Sequence, residues 1–311
     1  MHAAVLTEYG SIPKYAEADE PVPAGDQVVV DVLAAGLNPI DLAFASGAMP
    51  GPKPPVPAVV GGEGVGRLRD GRRVYFVRAA PPSGSFAERC LIAPSAAIPL
   101  DDAVDDATAI AVGNAGLAAW LALEHTAQLV SGETVLVLGA SGAVGQIGVQ
   151  AARHLGAGRV VAAARDHEGL DRALALGADA VVNLNGDDIG SALIEAAPHG
   201  YDVVLDPLWG QPALAALAAL AVRGRLIQVG NSAAPAIGLP AGLLRSRVSS
   251  IRAHTGMAVT PSQMAAAHAR MVELALQGEL RVAVEKIPLA DISTAWQRQA
   301  SSPHVKLVLI P

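Results

Sequence analysis

One cysteine, Cys90, is all the thiol the chain contains, so an internal disulfide and a cysteine-rich metal site are both excluded by counting. Aromatic residues supply only 3% of the sequence, so any core has to be assembled from many small aliphatic contacts among Ala, Val and Leu. Positive charge is not in excess: the net charge of -7 gives no general field for nucleic acid or anionic lipid, and points to small-molecule partners. The uncharged stretch at 107–123 is broken by Thr108, Gly113, Asn114 and Gly116, which reads as buried helix rather than as a membrane span. The opening MHAAVLTEYG lacks the basic start, apolar stretch and cleavage site of an export signal and reads as a first strand, so a cytoplasmic location is expected. No fixed-period repeat, charge run or low-complexity tail is present.

What the chain does have, over its 311 residues, is enough length for two cores. Up to about Pro99, short apolar runs such as VVVDVLAAG and RRVYFV are separated by Pro, Gly and Asp, the pattern of an irregular β-rich domain. The stretch SGAMPGPKPPVPAVV (46–60) carries five prolines and is expected to be a stiff loop. From Asp105 the period becomes helical. From Thr134 strands and helices alternate through TVLVLG, RVVAAA, AVVNL, DVVLD and RLIQVG, which predicts a parallel sheet covered by helices on both faces. SRVSSIRAH (246–254) reads as one further strand, 261–278 as a helix ending at glycine, and VKLVLIP as a closing strand.

The first of these alternations carries TVLVLGASGAVG, with Gly139, Gly142 and Gly145 at every third position between a buried strand and a helix. This is not the literal G-x-G-x-x-G fingerprint, but it does the same physical work. Missing side chains let a pyrophosphate approach the backbone, the first-turn amides around Ser141, Ala143 and Val144 face it, and the last glycine lets helix and strand pack closely. A dinucleotide is the expected ligand. Its type depends on the end of the second strand, where VVAAARDHEG places Ala164, Arg165 and Asp166. A small residue followed by arginine suits a 2′-phosphate, so NADP is favoured; the alternatives are an Arg165 paired with Asp166 or Glu168, and an Asp166 that reaches the ribose of NAD.

These stretches, together with AAGLNPIDL (34–42), GGEGVG (61–66), GSFAE (84–88), NAGLAAWLAL (114–123), LGADAVVN, YDVVLDPLWG and RGRLIQVGN, resemble the medium-chain dehydrogenase/reductase superfamily, and within it the zinc-independent quinone oxidoreductases related to zeta-crystallin. The resemblance implies an α/β fold: a doubly wound Rossmann domain (113–249) that binds NADP, and a GroES-like β-rich catalytic domain (1–112) completed by 250–311. It also implies that Asn114, Gly230 and Asn231 join the glycine loop and Arg165 in holding the cofactor, and it makes a homodimer the expected assembly. In zinc-dependent relatives a cysteine and a histidine ligate the metal; Asn38 stands at the cysteine place and Gly62 at the histidine place, so no metal is expected.

Without a Lewis acid, hydride from NADPH suits an acceptor that is already electrophilic, a quinone or an α,β-unsaturated carbonyl. Asn38 is then the first candidate for the hydrogen bond that polarises the acceptor, with a turn role before Pro39 as the alternative. Phe44 and Met49, where several relatives carry a tyrosine, and His254 with Thr255 are candidates for the substrate pocket. Asp41 and Glu63 are expected in a buried polar network, and Cys90 as a packed thiol. Two other readings stay open: an enoyl reductase acting on an acyl thioester, and a nucleotide-binding redox sensor without turnover. A Ser-His-Asp hydrolase is not supported, because GASGAVG lacks the G-x-S-x-G elbow.

Overall fold

The computed structural model describes residues 1–49, 51 and 53–311; Pro50 and Pro52 of the proline-rich stretch lie outside the described residues. The chain divides into two compact units. One comprises Met1–Asn114, Val272–Leu276 and Val282–Pro311; the other comprises Ala115–Met271 and Gln277–Arg281.

The first unit is built on a mainly antiparallel sheet. In spatial order its strands are Val284–Pro288, Lys306–Ile310, Val28–Gly36, Glu63–Leu68, Arg73–Phe76 and Ile98–Pro99, and Arg89–Ile92 also pairs with Val28–Gly36. Alternation buries Val30, Val32, Phe76, Leu307 and Leu309 on a core that Phe86 and Trp296 complete. Lys306, at the head of an otherwise apolar strand, is 2% exposed, and this is where the site described below begins.

The second unit is a six-stranded, all-parallel sheet. Numbered along the chain, Thr134–Leu138, Arg159–Ala164, Ala180–Asn183, Tyr201–Asp206, Leu220–Gln228 and Ser250–Ala253 lie in the order third, second, first, fourth, fifth, sixth. This is the doubly wound Rossmann order, whose switch point falls between the first and fourth strands. Strand residues Val135, Leu136, Val137 and Val203, Val204, Leu205 are fully buried, as a sheet covered on both faces requires.

Three details differ from the sequence expectation. Ser246 and Arg247 end a helix, Ala241–Arg247, rather than begin a strand, and Val248 closes it at φ 51° before the strand Ser250–Ala253. That strand pairs in parallel with Leu220–Gln228, so the chain does not return to the first unit at 250; the divide falls near 271. The helix expected over 107–123 is broken: Asp106–Ala111 stops, Gly113 intervenes, and a second helix runs Asn114–Leu121 into a π-turn at Ala122–Ala127.

Candidate functional site

The glycine loop sits at the end of the first parallel strand, on the carboxyl side of the sheet where ligands bind in this topology. Its three glycines do three different things. Gly139 turns at φ 62°, in the left-handed region that a side chain disfavours. Gly142 is the residue before the helix Ala143–His154. An added Cβ there would meet nothing nearer than the Gly139 carbonyl oxygen at 3.6 Å, and no side chain caps the helix, so the approach to its first-turn amides is open. Gly145 has no such room: a Cβ would overlap the Gly139 carbonyl oxygen and crowd Ala140. Further along the helix, Gly148 packs so closely on Leu205 that a Cβ would come within 2.6 Å, which seats the helix on the sheet. Ser141 is buried, and its carbonyl accepts a hydrogen bond of 2.8 Å from Gln146 Nε2, tying the loop to the helix it opens.

Around the second strand end, Ala164 is buried and Arg165 is exposed, with no ion pair to its guanidinium among the described residues. Neither Asp166 nor Glu168 pairs with it. Asp166 caps the next helix, its Oδ2 accepting the Gly169 N–H at 2.8 Å. Gly230 follows the fifth strand and leans on the Pro207 backbone, where a Cβ would come within 2.8 Å of the carbonyl oxygen; Asn231 beside it is exposed. Asp206, at the end of the fourth strand and hence at the switch point, is fully buried. Its Oδ1 accepts the N–H groups of Leu208 and Trp209 at 2.9 Å each, its Oδ2 has no partner among the described residues, and burial pushes its pKa up to about 6.

His254 follows the sixth strand. It is 8% exposed, its Nδ1 lies 2.8 Å from Thr126 Oγ1, and its Nε2 has no partner among the described residues. Burial, reinforced by His125, lowers its pKa. Thr255 is engaged locally, its hydroxyl accepting the Met257 N–H at 3.3 Å.

In the first unit the sequence candidates gather around a buried carboxylate. Glu63 is 2% exposed and accepts four hydrogen bonds: on Oε2 from Lys306 Nζ and Asn38 Nδ2, both at 2.8 Å, and on Oε1 from Tyr75 Oη at 2.8 Å and the Asn114 backbone N–H at 2.5 Å. Two glycines make the space, since a Cβ at Gly36 or at Gly113 would overlap a Glu63 carboxylate oxygen. Burial and the neighbouring charge push the Tyr75 pKa well up, so Tyr75 stays a donor. Asp41 lies alongside, accepting the Asn38 N–H at 2.8 Å, and burial raises its pKa to about 7 against the opposing effects of that bond and of Lys306.

This arrangement corrects the role expected for Asn38. Its side chain is 4% exposed, one amide hydrogen goes to Glu63 and the other to the Gly36 carbonyl at 2.9 Å, and its Oδ1 accepts from Lys306 at 2.6 Å. No donor is left for a substrate carbonyl. Phe44 is 57% exposed and Met49 half-buried. Lys306, Tyr75, Gly36 and Gly113 were not singled out from sequence; the available signal was a lysine inside the apolar run VKLVLIP. Cys90 is fully buried, with its thiol pKa pushed up by burial.

Residues 24–102 match the family model of the alcohol dehydrogenase GroES-like domain, and residues 143–273 that of the zinc-binding dehydrogenases. The rat quinone oxidoreductase is 34% identical over 244 residues, which is 74% of this chain and 73% of that protein. The chain belongs to the medium-chain dehydrogenase/reductase superfamily, in its quinone oxidoreductase-like family. A solved family member, the quinone oxidoreductase from Thermus thermophilus, described also in its complex with NADPH, superposes with a TM-score of 0.85 at 31% identity, covering 100% of both chains. A phenolphthiocerol/phthiocerol polyketide synthase component from Mycobacterium tuberculosis is 31% identical over 301 residues, 93% of this chain; the chain spans only 14% of that much longer protein.

The zinc in the second model's name finds no suitable ligands at the two places the family resemblance indicates. Asn38 presents a saturated amide, Gly62 has no side chain, and the adjacent Glu63 carboxylate already holds the Lys306 ammonium as its cation. Zinc requires thiolate, imidazole or free carboxylate donors in a tight shell, and among the described residues no three His, Cys, Asp or Glu side chains converge. The donor set does not fit the metal.

Proposed function

We propose that the chain is an NADPH-dependent oxidoreductase that passes hydride to a quinone or an α,β-unsaturated carbonyl without using a metal. The observation that carries the reading is the division of labour in the glycine loop: Gly139 turns, Gly145 is packed, and Gly142 alone stands before open space at an uncapped helix start. Reduced nicotinamide, when bound, supplies the hydride. The loop amides from Gly142 onward bind the pyrophosphate, helped by the positive end of the helix Ala143–His154. Arg165, exposed and unpaired, takes the 2′-phosphate with two parallel hydrogen bonds, and Ala164 leaves it room. Gly230 and Asn231, after the fifth strand of the same unit, complete the proposed cofactor contacts. Phe44 and Met49 offer apolar surface to the acceptor, whose electrophilic character removes the need for a Lewis acid.

The likeness to the polyketide synthase supports a second reading, reduction of an enoyl thioester. Steady-state NADPH oxidation with a simple quinone, a small enone and a short enoyl thioester separates the two. Highest kcat/KM with the quinone or the enone supports the first reading, and preference for the thioester by a wide margin supports the second. Tight NADPH binding without turnover of any of the three would instead favour a nucleotide sensor. Among the described residues Ser250–Ala253 is the last strand of its sheet and pairs on one side only, an edge that supports homodimerisation; the solution mass of the purified chain tests it.

A further inference from the structure

The turn 206–209, at the end of the fourth parallel strand, reaches to both sides of the switch point. On one side it lies against the glycine loop: a Cβ added at Gly139 would meet Leu208 Cδ2 at 3.0 Å and Pro207 Cγ at 3.3 Å. On the other side it holds the segment 229–233. The Asp206 carbonyl accepts the N–H groups of Val229 and Gly230 at 2.8 and 3.3 Å, the Pro207 carbonyl accepts the Ser232 N–H at 3.3 Å and its hydroxyl at 3.1 Å, and the Leu208 carbonyl accepts the Ala233 N–H at 2.8 Å. One turn is therefore in contact with the loop after the first strand and with the loop after the fifth, and all three belong to the same unit.

The shape of this turn needs support. Trp209 stands at φ 59° and ψ -162°, a combination that glycine adopts freely and that strains a residue with a side chain. Such strain persists only where the surroundings over-determine it. Asp206 supplies the constraint, its Oδ1 accepting the N–H groups two and three residues on, at 2.9 Å each. The residue is fully buried, and its Oδ2 has no partner among the described residues, so a polar atom is held out of water with nothing in return. What the carboxyl contributes is carried by Oδ1 and its two bonds to the turn.

We propose that Asp206 is a positioning residue for the cofactor site: Oδ1 clamps the strained turn 206–209, and the clamped turn sets the glycine loop and the loop at 230–231 in the places from which they take the dinucleotide. Asp206 is not itself a ligand; it acts through the backbone of its own turn. The proposal rests on the NADPH reading above.

The test is a graded series at pH 8: wild type, Asp206→Asn, Asp206→Ser and Asp206→Ala. Hydrogen–deuterium exchange without cofactor reads the loops, fluorescence titration gives the NADPH dissociation constants, and both are run well below the melting temperature of each variant. Asparagine keeps a side-chain oxygen at the same reach, serine makes such bonds more weakly, and alanine makes none. Asp206→Ala is expected to exchange faster at 139–145 and 229–233 as well as at 206–210, and to bind NADPH about ten-fold more weakly, the scale of a lost hydrogen bond to a charged group. Asp206→Asn should match wild type in both readouts, with Asp206→Ser between. Should Asp206→Ala not fold, the comparison of Asp206→Ser with Asp206→Asn carries the same expectation. Faster exchange confined to 206–210 with unchanged dissociation constants reduces Asp206 to a local structural role and overturns the proposal. Equal weakening in Asp206→Asn and Asp206→Ala overturns it as well, because the charge rather than the acceptor would then be the cause. Wild type that binds no NADPH overturns the cofactor reading and with it the purpose assigned to the clamp, whereas loops that exchange alike in all four proteins overturn the clamp itself.

Discussion

Lys306 Nζ lies 2.8 Å from Glu63 Oε2, with both side chains 2% exposed and 243 residues apart in the chain. Such a pair is a weak source of net stability but an expensive one to break from one side. Lys306→Met leaves a buried carboxylate without its cation and is expected to cost roughly 3–5 kcal/mol in urea unfolding. Adding Glu63→Gln to that variant removes the uncompensated charge and should restore part of the loss. Equal or greater loss in the double variant would show that the pair is not electrostatically coupled.

Gly142 and Gly145 separate binding from folding. Gly142 has an ordinary φ of -79° and open space, so Gly142→Ala should keep the wild-type melting temperature while weakening NADPH binding, by about ten-fold or more if a methyl blocks the pyrophosphate. Gly145→Ala drives a Cβ into the Gly139 carbonyl and should destabilise the unit by about 1–3 kcal/mol with or without cofactor. Calorimetry with and without NADPH checks both.

Arg165 is the proposed reader of the 2′-phosphate. Arg165→Ala should weaken NADPH by about ten-fold or more, the scale of a lost bidentate charged contact, and leave NADH unchanged. Parallel titrations with the two cofactors decide it: equal losses for both would remove Arg165 from that role.

Asp206 gives a pH dependence with a definite sign. Its pKa is raised from 3.8 to about 6 by burial, so between those values the folded chain holds a proton that the unfolded chain has released. Stability from this group is therefore present at low pH, falls as pH rises through about 4 to about 6, and stays low above. Asp206→Asn keeps an oxygen for the Leu208 and Trp209 N–H groups and cannot ionise. It is expected to be more stable than wild type at pH 8, with the advantage closing near pH 4. Urea midpoints at the two pH values show whether the gap behaves so.

Much of this was legible in local sequence pattern. The parallel strands are uniform apolar runs, and the glycines at 139, 142 and 145 stand between strand and helix, so both the sheet and its glycine loop follow from short-range rules. The Glu63 network was not legible in the same way, because its members at 36, 38, 63, 75, 113, 114 and 306 share no spacing and meet only when strands pair: Gly36 lies directly opposite Glu63 in the sheet. Asn38 was misread for a related reason, since an asparagine in a loop gives no sign of whether its amide is free. Ser246 and Arg247 were misread because a short segment of β-branched and polar residues fits the end of a helix as well as the start of a strand.

The central claim is direct hydride transfer from NADPH to an acceptor carbon, and isotopic labelling tests it most directly. NADPH deuterated at the transferable position of the nicotinamide would be incubated with the purified chain and a small α,β-unsaturated ketone, and the product analysed by mass spectrometry and NMR. The account predicts one deuterium on the β-carbon of the saturated ketone and a slower rate than with unlabelled NADPH. Saturated product without deuterium, or no product while a quinone is equally untouched, would contradict it.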